Sequence, residues 1–165
     1  MAYVKYIDRT RDYYLSQGYD KSYEWAHFDD VPFTPLKKPL AESRITLIST
    51  GEVAIRFDPE TEEDPMEKTQ VGSIYSIPSD IDPDRLYSHS YAFDRHATNL
   101  DDLNSFLPVT RIHEAVESGR VGSMAARLHS GQYTYSQRKT LERDGPEVLK
   151  RCREDGVDVA ILVPI

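Results

Sequence analysis

The sequence predicts an α/β protein, a Rossmann-like layered and mostly parallel sheet preceded by a Tyr-rich N-terminal helical arm. Three observations predict it. A short apolar segment, Ile45, Leu47 and Ile48, runs into Ser49, Thr50 and Gly51, as a strand runs into a turn. Two helical periodicities follow, one opened by Pro108 and closed by Gly119, the other opened near Pro146 and stopped by Gly156. Directly after the second comes VDVAILV at 157–163. A near-continuous aliphatic run after a helix is what a parallel strand buried on both faces requires.

The other elements fall in order around these. At 165 residues the chain is long enough for one cored domain, expected at 36–165 behind an arm at 1–35. In the arm, Tyr3, Tyr6, Ile7, Tyr13 and Tyr14 recur at helical spacing, and Gly18 is a C-terminal stop. Tyr19, Tyr23, Trp25, Phe28 and Phe33 then lie in a stretch punctuated by Pro32, Pro35 and Pro39. Tyrosine suits both interfaces and half-buried packing, so a partner-binding surface and a cover over the core both remain open. In the domain, residues 71–77 alternate as a second strand and 86–91 form a third. The helix from Pro108 carries Val109, Ile112, Ala115 and Val116 on one face, and the later helix carries Val148, Leu149 and Cys152.

Charge narrows the partners. Twenty Lys and Arg stand against 28 Asp and Glu, a formal net charge of −8, with no basic run, which excludes nucleic acid as an expected partner. Six acids crowd into residues 58–67, but without the glycine and alternating ligands of a calcium loop they read as a solvated loop. A single cysteine, Cys152, excludes an intramolecular disulfide, and its place on an apolar helix face makes it an inert core thiol. No apolar run approaches the ~20 residues of a membrane span. Lys5, Asp8 and Arg9 stand where a signal peptide needs an apolar stretch, so a cytoplasmic protein is expected.

The densest polar cluster is SHSYAFDRH at 88–96. There His89 and Asp94 read as the polar wall of a strand-end pocket or as its acid and base. Turn residues bonding their own backbone are the plainer alternative. A metal site of His89, Asp94 and His96 is a further one, although the spacing matches no closed motif. Thr50 and Gly51 end the first strand, where backbone amides can meet an anion. Neither the dinucleotide nor the P-loop glycine spacing occurs, so no nucleotide cofactor is expected.

Taken in order, several segments resemble one family. These are LKKPLAESRITLISTG at 36–51, YSIPSD at 75–80, SHSYAFD at 88–94, NSFLPVTRIHEAVESG at 104–119, VGSMAAR at 121–127 and GVDVAILVP at 156–164. The series is similar to the glycine/sarcosine/betaine/D-proline reductase family, selenoprotein B type, over about four fifths of the chain. It departs at Arg127, Leu128 and His129, where the family places its histidine next to the arginine. The resemblance implies reductive C–N cleavage of an amino-acid or betaine-like substrate by a selenolate or thiolate. It also implies a pyruvoyl-type partner subunit and a thiol electron donor. The redox residue then belongs just beyond Ile165, and an in-frame UGA is the expected reason for the chain to stop there. On this reading the chain alone is inactive. His89 and Asp94 are its proton donors or orienters, and Thr50, Gly51, Asn104 and His129 line the substrate crevice. An under-covered last strand favours association, so a homo-oligomer is expected.

Overall fold

The computed structural model describes residues 5–22, 26–91, 93, 96, 97, 99–132, 134 and 136–165. The chain divides into two compact units, Met1–Phe33 and Thr34–Ile165. In the first, helix α1 spans Tyr6–Ser16 and is followed by Gly18 at φ +86°, the left-handed stop that glycine supplies without penalty. Tyr14 meets Tyr13 edge-on at 5.5 Å and Tyr19 at 5.7 Å, so the aromatic contacts continue past the helix end. Among its described residues most apolar side chains are exposed, Phe28, Val31 and Phe33 among them.

The second unit is built on a mostly parallel sheet. Its centre is β1 (Arg44–Ser49), where Ile45, Thr46 and Leu47 are all buried. One edge of β1 pairs in parallel with β5 (Ser123–Met124) and then β6 (Arg127–Gly131). Between the pairs Ile45↔Met124 and Ile48↔His129, β1 advances three residues and its partner five, a bulge at residues 125 and 126. The Thr46 hydroxyl mends the ladder there by donating to the Arg127 carbonyl at 2.8 Å. Strand β3 (Ile74–Pro78) pairs antiparallel with β6. The other edge of β1 carries β7 (Val159–Val163), parallel and in register over five pairs. A separate antiparallel pair, β2 (Val53–Ile55) with β4 (Leu86–Ser88), is tied to the large sheet by the Val53 amide, which donates to Ser130 Oγ at 2.9 Å.

Side chains alternate across a sheet, and the two faces have different covers. Leu47, Ile77 and Leu128 join Val53, Ile55, Leu86, Phe106, Leu107 and Val109 in the apolar core. Val109 opens α2 (Val109–Glu117), which follows Pro108 and ends before Gly119 at φ +71°, as the sequence predicts. The opposite face is covered by α4 (Gly145–Glu154), preceded by one turn of helix, α3 (Gln137–Lys139), and a wide π-type turn, Thr140–Asp144. Polar anchors hold α4 in place. Arg127 grips Asp155 with two parallel bonds of 2.9 Å, and the buried Arg151 guanidinium donates to Ser76 Oγ at 2.8 Å and the Thr69 carbonyl at 2.7 Å.

The final strand departs from expectation. Among the described residues nothing pairs with the outer edge of β7, and its side chains alternate between half-buried and exposed, Leu162 being 72 % exposed. It is an edge strand rather than a central one buried on both faces. The cause is the placement of α4, whose anchors to Ser76, Thr69 and Arg127 set it over β3 and β6 and leave the β7 side of that face uncovered. Strands β2, β5 and β6 lie outside the sequence expectation altogether. No helix among the described residues is long and apolar enough to cross a membrane.

Candidate functional site

A cleft of about 580 Å³ opens at the carboxyl ends of β1 and β6, where open α/β sheets place their chemistry. Its lining comes from separate segments: Glu52 after β1, Asp64 and Met66 from the acidic loop, Tyr75 on β3, His89 and Tyr91 after β4, and Gln132 after β6. The turn joining β1 to β2 shapes one wall. Ser88 Oγ donates to the Gly51 carbonyl at 2.5 Å, and the His89 amide donates to the Glu52 carbonyl at 3.1 Å. The bonds that continue the β2–β4 ladder therefore fix His89 beside Glu52.

Glu52 has φ +48°, the one non-glycine residue with positive φ among those described. An L side chain pays about 1 kcal/mol there, and such conformations gather at functional sites. Tyr75 is buried, and burial pushes its phenol up to about 12, with a hydrogen bond from Ser130 opposing and the Glu52 charge adding to the rise. It remains a neutral hydrogen-bonding group at any physiological pH. His89 is exposed to the cleft, its Nε2 lies 2.7 Å from Tyr87 Oη, and the two rings are 4.7 Å apart. The Arg56 guanidinium sits over the Tyr87 ring, 4.6 Å from its centre. Among the described residues the cleft thus offers one imidazole, two carboxylates and two phenols around a polar space, and no Lys or Arg. Proton transfer to a bound group is chemistry that this set can perform.

The other sequence-predicted residues are placed differently. Thr50 and Gly51 stand at the strand end, but their amides are engaged: Thr50 donates to the Val163 carbonyl at 3.2 Å and Gly51 to Ser49 Oγ at 3.0 Å. An anion-binding turn made of these two donors is therefore not what the geometry provides. Thr50 Oγ1 instead accepts from the Ile165 amide at 3.0 Å. Asn104 is turned to local use, its Oδ1 accepting from Thr110 Oγ1 at 2.7 Å ahead of α2. His129 is fully buried on the α4 face, the opposite side of β6 from Ser130 and Tyr75, so it lines no crevice with His89. Its Nδ1 is 3.1 Å from Ser76 Oγ, and its Nε2 has no partner among the described residues.

Asp94 lies outside the described residues, and with it any test of the His89, Asp94 and His96 metal set. Among the described residues no three His, Cys, Asp or Glu are grouped to hold a metal ion. Sequence reasoning missed Glu52, Asp64, Tyr75, Tyr87 and Gln132. Only Glu52 had a signal in the chain, its position directly after the first strand's terminal glycine. Comparison with family models, curated proteins and solved structures returns no match for this chain.

Proposed function

We propose that the chain is the selenoprotein-B-like subunit of a cytoplasmic reductase for amino acids or betaine-like compounds, built on a Rossmann-like sheet. The reading rests on the ordered series of resembling segments. One observation supports it: β7 delivers the chain to the same end of the sheet as the cleft, with Ile165 bonded to Thr50. A selenolate or thiolate in a segment following Ile165 would supply the nucleophile for reductive C–N cleavage. The chalcogen bonds to the carbon as the amine leaves with the C–N pair and takes up a proton, and two donor thiols, oxidised to a disulfide, supply the two electrons that free the carbon as C–H and regenerate the chalcogenolate. His89, together with Asp94, supplies or orients that proton.

Two experiments test this. Reading the codon after Ile165 and the next hundred bases is expected to give UGA or a cysteine segment. UAA or UAG, with no onward frame encoding cysteine, overturns the proposal. In the extended protein, His89→Ala or Asp94→Asn is expected to abolish turnover and leave the fold intact. Unchanged turnover in both removes the site assignment.

A second reading is favoured by the exposure of the arm, where Phe33 is 90 % and Val31 78 % exposed. In it the chain is a non-catalytic binding or assembly protein that associates through residues 1–35. Sedimentation with and without those residues decides: an oligomer that becomes monomeric on deletion supports this role, and an unchanged state removes it.

A further inference from the structure

The second residue of the β4 strand carries an inference about how the cleft holds its proton. His89 directly follows β4, two residues beyond Tyr87. Their side chains meet at 2.7 Å through Tyr87 Oη and His89 Nε2, with the rings tilted at 46°. Neither partner is loose. Tyr87 is opposite Ala54 in the β2–β4 ladder, and Arg56, just past the end of β2, lies against its ring at 4.6 Å. His89 is fixed at its backbone by the Glu52 carbonyl. No other hydrogen bond to the imidazole is present among the described residues.

We infer that Tyr87 is a positioning residue that sets the tautomer of His89: its phenol O–H donates to Nε2, so the neutral ring carries its proton on Nδ1, the nitrogen left for a ligand in the cleft. The bond made by one ring nitrogen fixes the state of the other, and a phenol is a stronger donor than a neutral imidazole N–H. Free neutral imidazole side chains prefer the proton on Nε2, so the assignment reverses an intrinsic preference and is open to measurement. It deepens the acid-base reading of the cleft, but it rests on this geometry and not on the reductase chemistry.

The test is long-range ¹H–¹⁵N correlation spectroscopy of uniformly ¹⁵N-labelled chain at neutral pH, with the His89 signals identified by their loss in His89→Gln. The expected pattern is a pyrrole-type Nδ1 and a pyridine-type Nε2 in the native chain, moving to a pyrrole-type Nε2 in Tyr87→Phe. A native spectrum already of the Nε2–H type overturns the inference, and so does one unchanged by Tyr87→Phe. The native spectrum alone decides the tautomer if the variant does not fold. Because no turnover is read, failure of the reductase proposal leaves this result standing, and failure here leaves the reductase proposal to its own test.

Discussion

Gly51 and Ile165 meet where β1 and β7 end: a Cβ on Gly51 would stand 2.6 Å from Ile165 Cδ1 and 3.1 Å from Ser49 Oγ. Gly51 is needed for space rather than for an unusual backbone angle. Gly51→Ala is expected to cost about 1 kcal/mol, the low end for overpacking, because the nearest atom is the far end of a flexible side chain that can turn aside. Ile165→Ala should remove the larger clash, so the double variant should be less destabilised than the sum of the two singles. Urea unfolding of the four proteins measures this coupling. Strict additivity would show that Gly51 serves something other than the seat of Ile165.

Cys152 offers a check on the packing of α4. It is 8 % exposed, and burial raises its thiol above the ordinary value. Both effects suppress the thiolate, so reaction with a disulfide reagent at pH 8 must wait for local opening of the helix. Labelling of the native chain should be at least about 100-fold slower than in denaturant. Comparable rates in the two states would mean that α4 does not lie over the sheet as described.

Much of the framework was legible because its signals are local. Pro108, Gly119 and Gly156 bracket helices by backbone chemistry that needs no knowledge of the rest of the chain. Strand β6 was not legible, since RLHSG has one aliphatic residue and takes its strand identity from partners far away. Ser130 accepts from the Val53 amide, and His129 is paired through Ser76. The edge position of β7 was hidden for a related reason: an aliphatic run shows that burial is available, but not which neighbours arrive to supply it. In the cleft, the polar cluster pointed to His89. Asp64, Tyr75 and Gln132 reach it only through the topology, and each alone reads as an ordinary loop or strand residue. Asn104 and His129 were read as crevice residues for the opposite reason. A polar side chain's partners, here Thr110 and Ser76, do not show in the sequence.

Arg151 should be among the most sensitive positions outside the apolar core. The residue is 4 % exposed, and its guanidinium spans Glu147 at 2.7 Å, Ser76 and the Thr69 carbonyl, three acceptors on three segments. Arg151→Ala leaves these acceptors without their donor in a desolvated place, a loss of about 3–5 kcal/mol. Arg151→Lys should recover little of it, because a single ammonium cannot reproduce a planar fork. Full recovery by lysine in urea unfolding would show that charge, and not the fork, is what the site requires.

The same network makes stability depend on pH through His129. Burial first, then the positive charges of Arg151 and Arg127, hold its imidazole down at about 4 from the ordinary 6.5, with Asp155 and Glu147 opposing more weakly. Between those values the unfolded chain takes up a proton at this position that the folded chain refuses. The contribution to stability is therefore present in full above pH 6.5 and is lost as pH falls towards 4, with a size on the order of 3 kcal/mol. Asp144, Glu147 and Asp158 have lowered values and weaken the fold in the same direction at more acid pH. Comparison with His129→Gln, which keeps those groups, separates the two effects. The native chain should lose stability more steeply than the variant between pH 6.5 and 4, and the curves should run together above that range apart from a constant offset. Parallel curves throughout would mean that the folded chain accepts the proton, with the buried Nε2 finding a partner once it is charged.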